Sequence, residues 1–485
     1  MVSLLREPAR PAAVREHRLA PWLAVGAVCF GAFMGQLDAS VVTVAFPSLQ
    51  RQFGAGLAAV QWVSLAYLLA LTALLVPGGR WSDRAGRKLV YLYGFVVFAG
   101  ASAACGLSSS LGMLIGLRVV QAAGAAMLQA NSVAIVVTSV PAGRRRAALG
   151  VQAAAQAVGL ASGPLAGGLL VAVAGWRWVF FLNVPVGLAA VAAGWFLLPR
   201  TRVRADRDPA DLTGMALLAA SATAGMLAVS AVSGLRWPAW AVAASACVAV
   251  VAGTALWHLE HRVAAPLVDF RVLAASGAGR ALGGALCSYL VLFGPLVLFP
   301  QVVTGRGGGA LEAGLLLTSL PAAFGLTAAL ADRFLGGWWT SRRRCAAGGA
   351  VAAGAAAALA VPLPGAASAV LLGLLGAGLG LYTPANNAEI MAALPARDAA
   401  TAGGMVNMTR GIGTALGVAV VTLGLHAARL TGHPADGPGL SMALLALAGV
   451  VAAVAGAGSP PAARPGTAAG RARPADGRPG AGGER

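Results

Sequence analysis

Two charged residues stand where charge is expensive. Asp38 lies inside an apolar stretch from Trp22 to Ala45, and Arg118 inside another from Leu111 to Asn131. A charge near the middle of a membrane-spanning helix costs ~2.5–3.5 kcal/mol on insertion scales. Asp38 is the only acid well inside such a stretch. Apolar surroundings favour the protonated form of a carboxyl group, and a nearby guanidinium favours the ionised form. A group held between those pulls suits proton uptake and release as its surroundings change. Asp38 is therefore the expected proton carrier and Arg118 the residue that tunes it. The plainer alternative is a static ion pair that ties two segments together.

A second set is uncharged. Gln36, Gln121, Gln129, Asn131, Gln152, Gln156, Asn386, Asn387 and Asn407 are amides within apolar stretches. They suit either a watery cavity or hydrogen bonds between helices. Gln152 and Gln156, four residues apart, share a helix face. Arg410 also lies in an apolar stretch, and Glu389 is the nearest acid to it in sequence.

Other chemistries lack their residues. Lys88 is the only lysine and sits between Arg87 and Leu89, so no Gly-Lys-Ser/Thr phosphate loop exists to bind ATP. His258-Leu259-Glu260-His261 is one residue short of H-x-x-E-H, and no metal site or cofactor is expected. No nucleophile elbow or Cys/His pairing occurs, so an enzyme is not expected. Cys29, Cys105, Cys247, Cys287 and Cys345 are scattered, mostly in apolar stretches, and read as small packing residues.

These residues need elements to place them. The 485-residue chain is 58% hydrophobic and only 11% charged, too few charges to wet a soluble surface. Its apolar runs of about 20 residues match a ~30 Å hydrocarbon core at ~1.5 Å rise per residue. Fourteen spans are expected, all α-helical: Trp22–Ala45, Ala59–Pro77, Leu89–Leu107, Leu111–Asn131, Ala147–Val171, Val179–Leu198, Leu212–Val232, Ala239–Trp257, Arg280–Gln301, Leu311–Ala331, Ala346–Pro362, Ala367–Met391, Ala402–His426 and Leu440–Val454. Asp38 then lies ~10 Å below one membrane surface, and Arg118, on an oppositely directed span, lies ~10 Å below the same surface.

The formal net charge of +19 is explained by topology. With the N-terminus cytoplasmic, the inner loops and tails hold 28 of the 35 Lys and Arg. The outer loops hold only Arg51, Arg177, Arg236, Arg306 and Arg429. That split fits the positive-inside rule, so nucleic acid is not the expected partner. Both termini are expected in the cytoplasm, with the first span an uncleaved helix in a plasma membrane. The excess of Arg over Lys and the abundance of Ala suggest a GC-rich bacterial genome.

The spans fall as six, two and six. Residues 1–20 form an expected cytoplasmic tail, 21–199 a first six-helix bundle, and 200–278 charged linkers around an inserted helix pair. Residues 279–457 form a second six-helix bundle, and 458–485, rich in Pro, Gly, Ala and Arg, an expected disordered tail. Between the sixes there are traces of a repeat. Gly79-Arg80-Trp81-Ser82-Asp83-Arg84-Ala85-Gly86-Arg87-Lys88 follows the second span, and Ala331-Asp332-Arg333 to Arg342-Arg343-Arg344 follows the tenth. Repeated halves meeting near the midplane are a common transporter plan.

Motifs stand in order along the chain. They are Leu37-Asp38-Ala39-Ser40-Val41-Val42-Thr43-Val44-Ala45-Phe46-Pro47, then Gln61-Trp62 with Tyr67, then the Gly79–Lys88 segment. Arg118-Val119-Val120-Gln121-Ala122-Ala123-Gly124 follows, then Gly159-Leu160-Ala161-Ser162-Gly163-Pro164-Leu165-Ala166-Gly167-Gly168 and Trp176-Arg177-Trp178-Val179-Phe180-Phe181-Leu182-Asn183-Val184-Pro185-Val186-Gly187. With these the chain resembles the fourteen-helix drug:proton antiporter branch of the major facilitator superfamily, over roughly Trp22 to Val454. Ala122, Ala130 and the degenerate second-half loop depart from that pattern.

The resemblance implies two six-helix bundles plus an inserted hairpin, working by alternating access as a monomer on small amphipathic molecules. The energy source would be a proton gradient, and drugs or antibiotics the exported class; a metabolite facilitator and a receptor that has lost transport are the alternatives. Gly79, Asp83, Arg84, Gly86 and Arg87 would form a cytoplasmic latch, with Asp83 facing a helix N-terminus or neighbouring guanidinium groups. Gly159, Gly163 and Gly167 recur on one helix face beside Pro164 and would form a sliding or bending seam between the halves, with Gly413 and Gly417 as counterparts.

Overall fold

The computed structural model describes residue 7 and residues 10–200, 212–232, 238–263, 278–335, 339–393 and 399–458. Among these every long element is an α-helix and no strand occurs. In chain order the helices are α1 (Ala20–Val44), α2 (Trp62–Ala85), α3 (Arg87–Gly106), α4 (Leu111–Ser139), α5 (Arg145–Val173), α6 (Asn183–Leu197), α7 (Leu212–Val232), α8 (Ala239–Glu260), α9 (Ala278–Gly305), α10 (Ala310–Leu335), α11 (Ser341–Ala358), α12 (Gly365–Ala393), α13 (Ala399–Leu430) and α14 (Gly437–Ala457). Short helical pieces, such as Phe46–Phe53 and Arg177–Phe181, cover some of the turns.

Twelve helices among the described residues are long and apolar enough to cross a membrane. The other two long helices are α7, whose qualifying apolar part is Ala216–Gly225, and α11. The latter opens on Arg342, Arg343 and Arg344 and continues almost entirely in Ala and Gly, which are only weakly apolar.

Packing follows from small residues. α1 lies against α5, α4 and α6, and α3 lies between α4 and α6. In the second half α9 lies against α13, α14 and α12, while α12 packs on α10 and α11. The closest packing between the halves is α5 with α10 and α2 with α13, and α9 also touches α1. The helices α7 and α8 pair with each other, and α7 also touches α2 and α13. The face where α1 starts and α14 ends is called the terminal face below, and the opposite one the distal face.

One expectation needs correcting. The Gly79–Lys88 segment is not a loop, because α2 stays helical through Pro77 to Ala85 and α3 begins at Arg87. Gly86 alone makes the break, with φ at +112°, a region closed to most L-residues. The space a Cβ would take there is filled by the carboxylate of Glu7. A strap forms around this point. Arg200 donates to the Glu7 carbonyl at 2.8 Å, and Arg10 donates to the Leu197 carbonyl at 2.6 Å. Buried Lys88 donates to the carbonyls of Trp195 and Leu198, both at 2.8 Å, so it satisfies two orphan acceptors at the end of α6. Burial lowers the proton affinity of the Arg10 guanidinium from its ordinary value.

Candidate functional site

The two costly charges meet. Arg118 Nη1 donates to Asp38 Oδ2 at 2.6 Å, and both side chains are sealed from solvent. Gln121 Nε2 donates to Asp38 Oδ1 at 3.0 Å, and Asn183 Nδ2 donates to the same oxygen at 2.9 Å. Arg118 also donates from Nη1 to Gln121 Oε1 at 2.7 Å and from Nε to the Val63 carbonyl at 2.9 Å. Its guanidinium stacks on the Tyr67 ring, 4.1 Å from the centroid, with Phe180 at 5.8 Å. Asn183 shares its Nδ2 with Ser102 Oγ at 3.0 Å, and Ser102 donates to the Phe180 carbonyl at 2.9 Å. Two helices, α4 and α6, therefore donate to one carboxylate, and α2 and α3 bond to those donors through Val63 and Ser102.

A cavity lies beside this network. It holds about 200 Å³ and is lined by Gln36 and Gly35 of α1, Gln129 and Ser132 of α4, Gln152 and Gln156 of α5, and Asn407 and Arg410 of α13. A smaller space of about 50 Å³ shares Gln36, Gln129, Asn407 and Arg410 and adds Tyr67, Thr72 and Tyr289. Asp38 touches neither space. Tyr67 stands between them, with its ring on Arg118, its side chain bordering the smaller space, and its buried hydroxyl without a hydrogen-bond partner among the described residues.

Of the amides expected to line a cavity, Gln36, Gln152, Gln156 and Asn407 do so, as does Arg410. Two do not. Gln121 is consumed by Asp38 and Arg118. Asn386 donates to the Ala281 carbonyl at 2.8 Å and ties α12 to α9. An unpaired buried amide is costly, and each takes the nearest partner. Gln152 also donates to Ser132. Arg410 forms no ion pair with Glu389; it donates to Asn407 Oδ1 at 3.4 Å and stacks 4.9 Å from the Tyr289 centroid.

The glycine seam is real but lies elsewhere. A Cβ at Gly159 would collide with the Phe33 carbonyl, and one at Gly163 with the Ser40 hydroxyl. One at Gly167 would reach Val41 at 3.0 Å. That face packs on α1, within the same half. The contact between halves comes from the next residue, Gly168, whose Cβ would lie 3.1 Å from the Cα of Gly314 on α10. The carbonyl of Pro164 also abuts Gly314. Gly413 and Gly417 repeat the first arrangement against the Leu286 and Leu290 carbonyls of α9. Gly411 meets the Thr72 hydroxyl of α2 across the halves. At the expected latch, Arg84 is exposed, Arg87 is half-buried, and Gly79 packs on Ala130. The side chain of Asp83 lies outside the described residues.

Sequence reasoning missed three residues of the network. Asn183 and Tyr67 sat inside quoted motifs without a role, and nothing marked Ser102. The only signal for Asn183 was a lone amide opening an apolar helix, which on its own reads as a turn residue. A separate distal-face cleft of about 1040 Å³ gathers Arg51, Arg306 and Arg429 beside Asp436, Phe299 and Met442.

With this geometry in place, known proteins can be compared. Residues 28–418 match the family model described as Major Facilitator Superfamily. The methylenomycin A resistance protein of Streptomyces coelicolor is 31% identical over 439 residues, covering 88% of this chain and 91% of that protein. The drug efflux pump JefA of Mycobacterium tuberculosis is 32% identical, covering 82% and 79%. Among solved structures, an inward-facing, unoccupied bacterial homologue of the human lysosomal transporter Spinster aligns with a TM-score of 0.67 at 17% identity, covering 91% of this chain and 97% of that one.

Proposed function

The chain belongs to the major facilitator superfamily, and from that premise we propose that it is a proton-coupled antiporter exporting small amphipathic organic molecules such as antibiotics. It is a multi-pass membrane transporter; its coupling, direction and substrate are the proposed part. The observation that carries the reading is the Asp38 carboxylate, held dry by Arg118, Gln121 and Asn183, one aromatic wall away from a polar cavity. Protonation would release Arg118 and Asn183 from Asp38. Those bonds tie α1 to α4 and to α6, so the proton count of one group biases how the helices pack.

Alternating access would be rocking of two six-helix bundles, α1–α6 and α9–α14, with α7 and α8 as an inserted hairpin and all fourteen helices as spans. Contacts between the halves at Gly168 and Gly314, and at Gly411 and Thr72, allow this because glycine lets backbones slide closely. The Gly86 break, with Glu7 seated in it, would serve as part of a cytoplasmic latch. We place both termini in the cytoplasm and the protein in a bacterial plasma membrane, acting as a monomer without ATP, cofactor or nucleic acid.

A drug-susceptibility panel in an efflux-deficient host tests the reading. Wild type should raise tolerance to at least one amphipathic compound, and Asp38→Asn should abolish that gain at equal membrane abundance. Full efflux driven by a pH gradient in the Asp38→Asn protein would remove the proton role.

A further inference from the structure

The cavity carries an unspent positive charge. Among the described residues, Arg410 is the only ionisable side chain other than Tyr67 and Tyr289 on the lining of either central space. The other deep arginine, Arg118, is fully engaged by Asp38, Gln121 and Val63. Among the described residues Arg410 has only the Asn407 carbonyl oxygen at 3.4 Å and the face of Tyr289. A guanidinium has five N–H donors and cannot shed its charge. Four donors therefore remain for something else, in a half-buried position where an uncompensated cation is costly. Around it stand amide groups that donate as well as accept, namely Gln36, Gln129, Gln152 and Gln156, and apolar walls from Leu128 and Phe293.

We propose that the central cavity is a site for an amphipathic organic anion, whose carboxylate or equivalent acidic group docks on Arg410. The planar fork of the guanidinium matches a carboxylate with two parallel hydrogen bonds. The amides orient the rest of the polar edge, and the apolar body lies on Leu128 and Phe293. Loading neutralises the cavity, so the occupied site crosses the membrane interior without net charge from Arg410. The inference deepens the exporter reading by naming its substrate class. In that reading an anion leaving against an incoming proton moves two charges in the same electrical sense, and both moves run down an inside-negative potential.

The test uses full-length purified protein and three probes of one shape: 2-naphthoate, neutral 2-naphthamide and cationic 2-naphthylmethylamine. Equilibrium binding is compared for wild type, Arg410→Gln and Arg410→Lys. Wild type should prefer the naphthoate. Arg410→Gln should weaken naphthoate binding about tenfold or more, the usual cost of losing a charge-assisted bond, and weaken naphthamide binding far less, because a neutral carbonyl loses only a neutral hydrogen bond. Arg410→Lys should fall between, because it keeps the charge without the fork. A melting temperature equal to that of wild type certifies that the variants are folded. The proposal is overturned if wild type binds none of the probes, if it prefers the amine, or if Arg410→Gln binds naphthoate as wild type does. Proton-driven flux in everted vesicles separates this inference from the exporter reading. Binding that depends on Arg410 without any driven flux sinks the exporter and keeps the anion site; driven flux of all three probes alike does the reverse.

Discussion

The Thr422 hydroxyl donates a 2.6 Å hydrogen bond to Gln61 Oε1, joining α13 to the start of α2 across 361 residues of sequence. Both residues are buried, and they lie toward the distal face, on the far side of the cavity from the termini. With Gly168 against Gly314, this bond closes the distal side between the two halves. Thr422 also donates to the Val418 carbonyl at 3.0 Å, so its hydroxyl has an alternative partner when the halves part.

Thr422→Val should therefore favour the state open on the distal side. Labelling of an engineered cysteine at position 36 by a membrane-impermeant reagent should rise from the distal face and fall from the terminal face. Together with Gln61→Leu, the double mutant should show a coupling of about 1 kcal/mol, the usual net value of one hydrogen bond. Additive single effects would mean the contact does not hold the closed state.

Adding bulk where the halves touch should act in the same direction by another route. Leu at Gly168 would strike Ala310, Leu311 and Gly314, so the distal side could not close. Transport should be lost with the protein still folded. Leu at Gly163 meets the Ser40 hydroxyl within one half, and should lower the melting temperature instead, by a destabilisation of roughly 1–3 kcal/mol. Equal behaviour of the two variants in accessibility labelling would contradict the assignment of separate seams.

Asn183→Ala removes one of the donors to Asp38 and leaves Ser102 bonded to the Phe180 carbonyl. Thermal unfolding should show a loss of about 1–3 kcal/mol, the cost of a buried polar group left unpaired. Transport should fall without vanishing, since Arg118 and Gln121 still hold the carboxylate. Arg118→Ala should be far worse, by about 3–5 kcal/mol, because it strands a buried charge. The order of these two variants is the measurement that matters.

Lys88 offers a chemical probe of the strap. Its amine is buried and donates to Trp195 and Leu198, yet it is the only lysine in the chain. Amine-reactive reagents should leave it unmodified in the folded protein and modify it on denaturation, read by mass spectrometry. Glu7→Ala frees the space over Gly86 and should make Lys88 labelling faster. Rapid labelling of the native wild type would contradict the packing of this face.

What the sequence determined by itself was whatever depends on local rise and composition. Helix length follows from runs of apolar residues, so helices stand where the spans are expected, to within a few residues at most ends and about eight residues longer at the terminal-face ends of α2 and α4, although twelve of the fourteen are long and apolar enough to cross a membrane. Depth follows from ~1.5 Å per residue, which set Asp38 and Arg118 at one level before any contact was known. Lateral position does not follow from either. Whether an amide faces a cavity or a neighbour depends on which helix packs there, and so Gln121 and Asn386 turned out bonded while Gln36 and Gln156 line open space. The face carrying Gly159, Gly163 and Gly167 was legible as a close-packing surface, but its partner, α1, was not. Asn183 reaches Asp38 from α6 with Ser102 of α3 behind it, and Arg410 ends in the cavity with no acid on its lining among the described residues, because rigid helices side by side bring distant residues together by rotation about their axes. Only the tertiary structure fixes that rotation.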